Sequence, residues 1–149
     1  DKRIETKYLD EKYTDIDEAI DKAQAYKVQD ASKSIGVLCN AVHLLQRLVE
    51  RNIIPDTLTD QTSAHDPLAY LPLGVDFDDW ASAKLDQGFA QRSRESMAVH
   101  VEAMVGFQNR GAEVFDYGNN IRTEAKAAGY ADAFAFPGFV WRYLRRTHH

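Results

Sequence analysis

The chain has 149 residues, which suits one domain and is long enough to bury a hydrophobic core. Its net charge of −5 argues against a general nucleic-acid binder, because such a protein needs a basic face. No apolar run approaches the roughly 20 residues of a membrane span, and no secretory signal is visible. The single cysteine, Cys39, excludes an internal disulfide and fits a reducing compartment. We therefore expect a soluble, cytoplasmic protein.

The first part of the chain alternates helix and strand patterns. Residues 14–27 carry an apolar stripe at helical spacing, with Thr14 as the predicted N-cap. The short apolar run at 34–39 predicts a buried strand, and Asn40 then opens an amphipathic helix over 41–51. Pro55 cannot continue a helix, and it predicts a turn into a second strand at 56–59.

The second part of the chain continues the alternation after a long polar segment. Residues 60–80 are predicted to be a loop, and a long helix follows at 88–109. A third strand is predicted at 112–116, and a further amphipathic helix is predicted at 119–128. This order favours an α/β fold, a parallel sheet flanked by helices. Because ligands bind where such strands end, Asn40, 60–65 and 116–120 are expected to converge on a ligand site.

Most candidate residues have a structural and a functional interpretation. Asn40 suits a helix N-cap, and the same helix N-terminus could also face an anion such as a pyrophosphate. Tyr117 lies in a strand-to-helix turn, and its ring could equally stack on a ligand. A hydrolase site made of Ser63, His65 and Asp66 is disfavoured against a polar turn, since residues so close in sequence rarely meet catalytic geometry.

The sequence lacks the common motifs of metal sites and of nucleotide-binding sites. His43 and His100 stand singly on predicted helices, and no HxxxH, HExxH or CxxC spacing occurs, so no metal site is predicted. Cys39 is interpreted as a small core residue rather than a reactive thiol. Neither GxGxxG nor GxxxxGK[ST] is present. The residues alone thus indicate a polar ligand site at the strand ends without naming its ligand.

Four segments match a known pattern in order along the chain: 59–68 (TDQTSAHDPL), 70–72 (YLP), 115–122 (FDYGNNIR) and 136–140 (FPGFV). Together they closely resemble the urocanase (urocanate hydratase) family. The resemblance runs over about residues 1–140, which is nearly the whole chain. The resemblance implies a Rossmann-like parallel sheet flanked by helices, part of the family's NAD-binding domain. It also implies a lyase of histidine degradation that adds water to urocanate, giving imidazolonepropionate, with tightly bound NAD as an electrophile and a homodimer as the full enzyme.

The resemblance predicts that ten residues of this chain contact NAD, and it assigns no catalytic residue to the chain. The predicted contacts are Asn40, Ala41, Gln61, Thr62, Ser63, Ala64, His65, Tyr70, Leu71 and Tyr117.

Several departures from the family pattern set limits on this assignment. The family's Gly-rich phosphate-binding segment is expected before Asp1 and is missing from this sequence, and the active-site Cys that the family has after the position of Val140 is missing as well. Cys39 does not align with that Cys and inherits no role. Ala69 replaces an Asn-Gly pair, which affects the register of Tyr70-Leu71, and residues 141–149 are atypical of the family. The alternative prediction is a non-catalytic dinucleotide-binding or self-associating module.

Overall fold

The computed structural model describes residues 2–5 and 8–139. The predicted atypical tail, 141–149, lies outside the described residues. The helices and strands in chain order are α1 (Lys2–Glu5), β1 (Glu11–Tyr13), α2 (Ile16–Val28), β2 (Ile35–Val37), α3 (Ala41–Glu50), β3 (Thr57–Asp60), α4 (Trp80–Ala83), α5 (Phe89–Asn109), β4 (Glu113–Asp116) and α6 (Asn120–Ala127). Two single 3₁₀ turns, Pro67–Ala69 and Phe77–Asp79, lie between β3 and α4.

The fold is α/β, with parallel strands flanked by helices, as the sequence predicts. Strand β1 pairs with β2 in parallel, with Tyr13 opposite Val37. Strand β3 pairs with β4 in parallel, with Asp60 opposite Asp116. Because β3 and β4 run in the same direction and in register, both end at the same edge, where their terminal carboxylates lie side by side.

The arrangement of the strands differs from the single sheet that the sequence indicates. In the described part of the chain, β2 and β3 belong to two separate two-stranded pairs. Strand β1 is absent from the sequence-based prediction because Glu11-Lys12-Tyr13 has no apolar run. Its alternation of half-buried and exposed residues spans only three positions, too few for a period-2 pattern to stand out.

Side-chain caps mark the starts of α2 and α3, and an ion pair links these two helices. The carboxylate of Asp15, rather than Thr14, caps α2 by accepting from the backbone N–H of Glu18 at 2.8 Å. Asn40 caps α3, as predicted, by accepting from the backbone N–H of Val42 at 2.9 Å. Helices α2 and α3 are joined by Arg47, which donates from Nε to Asp17 at 2.8 Å. These contacts position Asn40 at the carboxyl end of β2.

The centre of the hydrophobic core is α5. Its side chains Met97, Val101, Met104 and Phe107 are fully buried, and they pack in one cluster with Val114 of β4 and residues of α6. The segment between β3 and α5, predicted as a loop, contains α4 and the two 3₁₀ turns. It is held against the core rather than projecting from it, because Tyr70 and Pro72 are buried.

Candidate functional site

A polar cleft lies where β3 and β4 end. It has a volume of about 350 Å³ and is called the strand-end cleft below. Its lining residues come from the ends of the two strands, the loop after β3 and the start of α6: Asp60, Gln61, Thr62, Asp116, Tyr117, Gly118, Asn120 and Ile121. The parallel register thus brings together two of the three segments that the sequence predicts at the ligand site.

Asp60 fixes the start of the loop that follows β3. Its Oδ2 accepts from the backbone N–H of Thr62 at 3.2 Å and from the Thr62 hydroxyl at 2.9 Å. Ala64 is 1% exposed and anchors the middle of the loop in the core, whereas Gln61, Ser63 and His65 are exposed. The loop is therefore held at two points and presents its polar side chains to solvent.

The polar-turn interpretation of residues 63–66 agrees with the structure. Ser63, His65 and Asp66 are all exposed. The Asp66 carboxylate caps the following 3₁₀ turn by accepting from the backbone N–H of Leu68 at 2.9 Å. Asp66 thus has a structural partner of its own, which is what an Asx-type turn requires.

Asn40 links the first strand pair to the segment after the 3₁₀ turn. Its Oδ1 caps α3, and its Nδ2 donates to the backbone carbonyl of Leu71 at 2.9 Å. Ala41 is exposed in the first turn of the same helix. The predicted residues Asn40, Ala41 and Leu71 therefore lie together, although β2 is not paired with β3.

Tyr70 points into the protein. It is 5% exposed, and its hydroxyl lies 3.0 Å from Nδ1 of His100 on α5. Burial and the negative charge of Asp60 both raise the pKa of Tyr70 well above its usual range. The phenol is therefore protonated at neutral pH and serves as a buried hydrogen-bond donor.

Tyr117 presents an aromatic surface beside the strand-end cleft. Its side chain is 49% exposed, and its ring stacks on Phe139 with centroids 5.0 Å apart and an interplanar angle of 17°. Phe115 packs edge-on against the same ring. One ring face is thus supported by aromatic residues and the side chain remains half accessible, a geometry suited to stacking on a planar ligand.

A buried ion pair supports the turn that carries Tyr117. Asp116 is 1% exposed and Arg122 is 5% exposed. Arg122 donates from Nε to Asp116 Oδ2 at 2.9 Å, from Nη1 to the Phe136 carbonyl at 2.8 Å and from Nη2 to the Gly118 carbonyl at 3.1 Å. It also donates to the side chain of Asn119. One guanidinium therefore joins the end of β4, the 117–119 turn and residue 136.

The Asp116 carboxyl group is held in an unfavourable environment for its charge. Burial raises its pKa to about 6, the nearby charge of Asp60 contributes in the same direction, and Arg122 opposes the rise. Its Oδ1 has no hydrogen-bond partner among the described residues. The ion pair therefore offsets only part of the cost of burying this carboxylate.

Two residues of this region, His100 and Arg122, are not among the sequence-predicted site residues. His100 is 3% exposed and lies between Tyr70 and Asp60. Cys39, predicted as a small core residue, is only half-buried and is not part of the core cluster; burial raises the pKa of its thiol. Within the described residues, no group of three His, Cys, Asp or Glu side chains could hold a metal ion. No helix in that part of the chain is long and apolar enough to cross a bilayer.

Six of the ten predicted site residues fall into two sets: Gln61, Thr62 and Tyr117 line the strand-end cleft, whereas Asn40, Ala41 and Leu71 lie at the start of α3. Of the other four, Ser63 and His65 are exposed on the loop outside the cleft lining, and Ala64 and Tyr70 are buried. Comparison with known protein families gives a match to the model of the urocanase Rossmann-like domain, over residues 1–143 of the chain.

Proposed function

This chain belongs to the urocanase family, and we propose that it is an NAD-binding domain of urocanate hydratase. The observation that carries the proposal is the family match together with the position of the family's motif residues. Gln61, Thr62 and Tyr117 line one cleft at the carboxyl ends of two parallel strands. In open α/β sheets this edge is where dinucleotides bind.

The chemistry of the described residues fits a dinucleotide. The strand-end cleft is lined by Asp60, Gln61 and Thr62, whose carboxylate, amide and hydroxyl groups can exchange hydrogen bonds with the hydroxyl or amide groups of a nucleoside. Tyr117 offers a half-accessible ring for stacking. The start of α3, at Asn40 and Ala41, offers the backbone N–H groups and partial positive charge that suit a phosphate.

The proposed cofactor is NAD, which when bound supplies an electrophilic nicotinamide ring to the imidazole of urocanate. The chain's own part is to bind and orient this cofactor through the accessible residues that the family motif identifies, while the buried Ala64 and Tyr70 support their segments from inside the core. We assign no catalytic residue to the chain. Hydration of urocanate, the cytoplasmic location and the homodimer are proposed for the full enzyme, and the isolated chain is expected not to consume urocanate.

Calorimetric titration of the chain with NAD⁺ tests the proposal. Gln61→Ala removes an exposed amide that lines the cleft, so it should weaken binding by about tenfold with little effect on folding. Gln91→Ala is the matched control, because Gln91 is an exposed residue of α5 outside the cleft. NAD⁺ affinity that is the same in both variants would contradict the proposed site.

A second candidate function is a non-catalytic, self-associating module, and an apolar groove favours it. The groove has a volume of about 500 Å³ and is lined by α2, β2, α3 and the segment before β3. Its apolar residues include Ile20, Ile35, Val37, Leu48 and Ile54. Exposed apolar surface beside short sheets promotes association. Light scattering that gives a monomer at all concentrations tested would count against this function.

A further inference from the structure

One face of α5 is polar although it lies inside the core. Ser93, Ser96 and His100 are 0%, 5% and 3% exposed. Their spacing of three and four residues places them on the same face of the helix. Burying polar groups is costly unless each has a partner, so this stripe requires an explanation beyond packing.

The partners of this stripe belong to the segment that contains two predicted cofactor residues. The Ser93 hydroxyl donates to the Tyr70 carbonyl at 3.4 Å, and the Ser96 hydroxyl oxygen accepts from the backbone N–H of Leu73 at 2.8 Å. The hydroxyl of Tyr70 lies 3.0 Å from Nδ1 of His100. Helix α5 therefore holds residues 70–73 by both backbone and side-chain contacts.

The second ring nitrogen of His100 faces the other half of the site. Its Nε2 lies 3.6 Å from Oδ1 of Asp60, and Oδ2 of the same carboxylate holds the backbone and hydroxyl of Thr62. The imidazole is therefore the group that lies between Tyr70 and the base of the 61–65 loop. Asp60 itself is 8% exposed, so Tyr70, His100 and Asp60 are all largely shielded from solvent.

The protonation state of the imidazole follows from its neighbours. Burial lowers the pKa of His100, and the Asp60 charge only partly counteracts this, so the ring is neutral at pH 7. A neutral imidazole has one donor and one acceptor nitrogen, and a carboxylate can only accept. The proton therefore lies on Nε2, towards Asp60, and Nδ1 accepts the hydrogen bond that the Tyr70 hydroxyl donates.

We propose that His100 is a positioning residue of the cofactor site, whose imidazole bridges Tyr70 and Asp60 and so fixes the 61–65 loop relative to residues 70–73. The effect on NAD rests on the proposed function, whereas the bridge itself does not. A histidine that only filled space would tolerate any side chain of similar volume. A bridging histidine needs an acceptor on one side and a donor on the other.

The bridge can be tested without cofactor by following the backbone amide of Thr62 with ¹⁵N–¹H correlation spectra. Tyr70→Phe deletes the hydroxyl at one end of the bridge. We expect it to shift the Thr62 amide resonance in the wild-type background and to leave it unchanged in a His100→Leu background. An equal shift in both backgrounds would overturn the proposal, because the signal would then travel through packing, for example by way of the buried Ala64.

The effect on the cofactor site is tested by calorimetry with NAD⁺, at a temperature well below the unfolding midpoint of every variant. His100→Leu should weaken binding by about tenfold, as for the loss of one well-placed contact. His100→Gln keeps an acceptor and a donor and should bind within about threefold of wild type. Val101→Ala is the control, since it destabilises α5 without touching the bridge.

The outcomes separate the two proposals. If Val101→Ala weakens NAD⁺ binding as much as His100→Leu does, the effect is one of stability and the positioning role is overturned. Failure of His100→Gln to restore binding that His100→Leu loses would overturn it as well. If the wild-type chain binds no NAD⁺ while the Tyr70→Phe shift depends on His100, the bridge between Tyr70 and Asp60 stands, whereas the proposed function and the effect on NAD fail.

Discussion

Arg122 is the residue whose removal tests the energetics of this site most directly. Arg122→Ala leaves the Asp116 carboxylate buried without its counter-charge and leaves the carbonyls of Gly118 and Phe136 without this donor. Breaking a buried ion pair from one side typically costs about 3–5 kcal/mol. Small domains have a free energy of unfolding of about 5–15 kcal/mol, so the loss should be large.

The measurement is urea unfolding followed by circular dichroism, with linear extrapolation to water. Arg94→Ala is the matched control, because Arg94 donates to Glu124 at 2.9 Å in a pair whose side chains are 40% and 25% exposed. Partly exposed pairs contribute about 0–1 kcal/mol. The two variants therefore remove the same kind of side chain and differ in the burial of the pair.

The pH dependence provides an independent check. The pKa of Asp116 in the folded state, about 6, lies above its usual value, so this group favours the folded state at low pH. That contribution is lost as the pH rises through about 6. Without Arg122, which lowers this pKa, the carboxyl should take up a proton still more readily. The cost of Arg122→Ala should therefore be smaller at about pH 5 than at about pH 7.5.

Two results would refute this reasoning. A loss below about 1 kcal/mol at neutral pH, equal to that of Arg94→Ala, would mean that Arg122 does not compensate a buried charge. A cost that is constant between the two pH values would mean that Arg122 does not change the pKa of Asp116. Either result would remove the electrostatic account of the 116–122 segment.

Three further substitutions test the local geometry by urea unfolding. Asn40→Ala should lower the free energy of unfolding by about 1–2 kcal/mol, because it removes both the cap of α3 and the donor to the Leu71 carbonyl. An unchanged free energy of unfolding would contradict both roles. Gly138→Ala should destabilise the fold, since the added Cβ would lie 3.0 Å from Nη2 of Arg122. Gly106→Ala, where an added Cβ meets no heavy atom within 4 Å beyond its chain neighbours and its own helix backbone, should stabilise α5 by about 0.5–1 kcal/mol. Equal effects at the two glycines would argue against the close approach at residue 138.

The elements that the sequence predicts correctly have a strong local signal. Helices α2, α3, α5 and α6 and strands β2, β3 and β4 are found within a few residues of their predicted limits. The helices carry an apolar periodicity, β2 and β4 carry short apolar runs, and β3 is marked by the turn at Pro55 that precedes it. The pairing of the strands has no such local signal. Whether β2 pairs with β3 depends on what lies beside each strand, and the short strand β1 could be recognised only through its partner.

The same distinction applies to the site. The abrupt ends of apolar runs mark Asp60 and Asp116, and the structure places both at one cleft. His100 has no such signal, because its contacts with Tyr70 and Asp60 join residues about 30 and 40 positions apart. A usable clue is the position of Ser93, Ser96 and His100 at helical spacing beside the apolar face of α5, which predicts buried polar partners without identifying them.

The two halves of the predicted site are joined by contacts that differ in kind. Asn40 connects the start of α3 to residue 71 through one hydrogen bond between a side chain and the backbone. Tyr70, the preceding residue, is linked to the base of the 61–65 loop by the polar contacts of His100. Segment 70–71 therefore contacts both halves, and its position depends on α3 at one residue and on α5 at the other. A ligand held by Asn40 and by the 61–65 loop would be sensitive to both contacts, which is why distant α5 is expected to influence affinity at a cleft that it does not line.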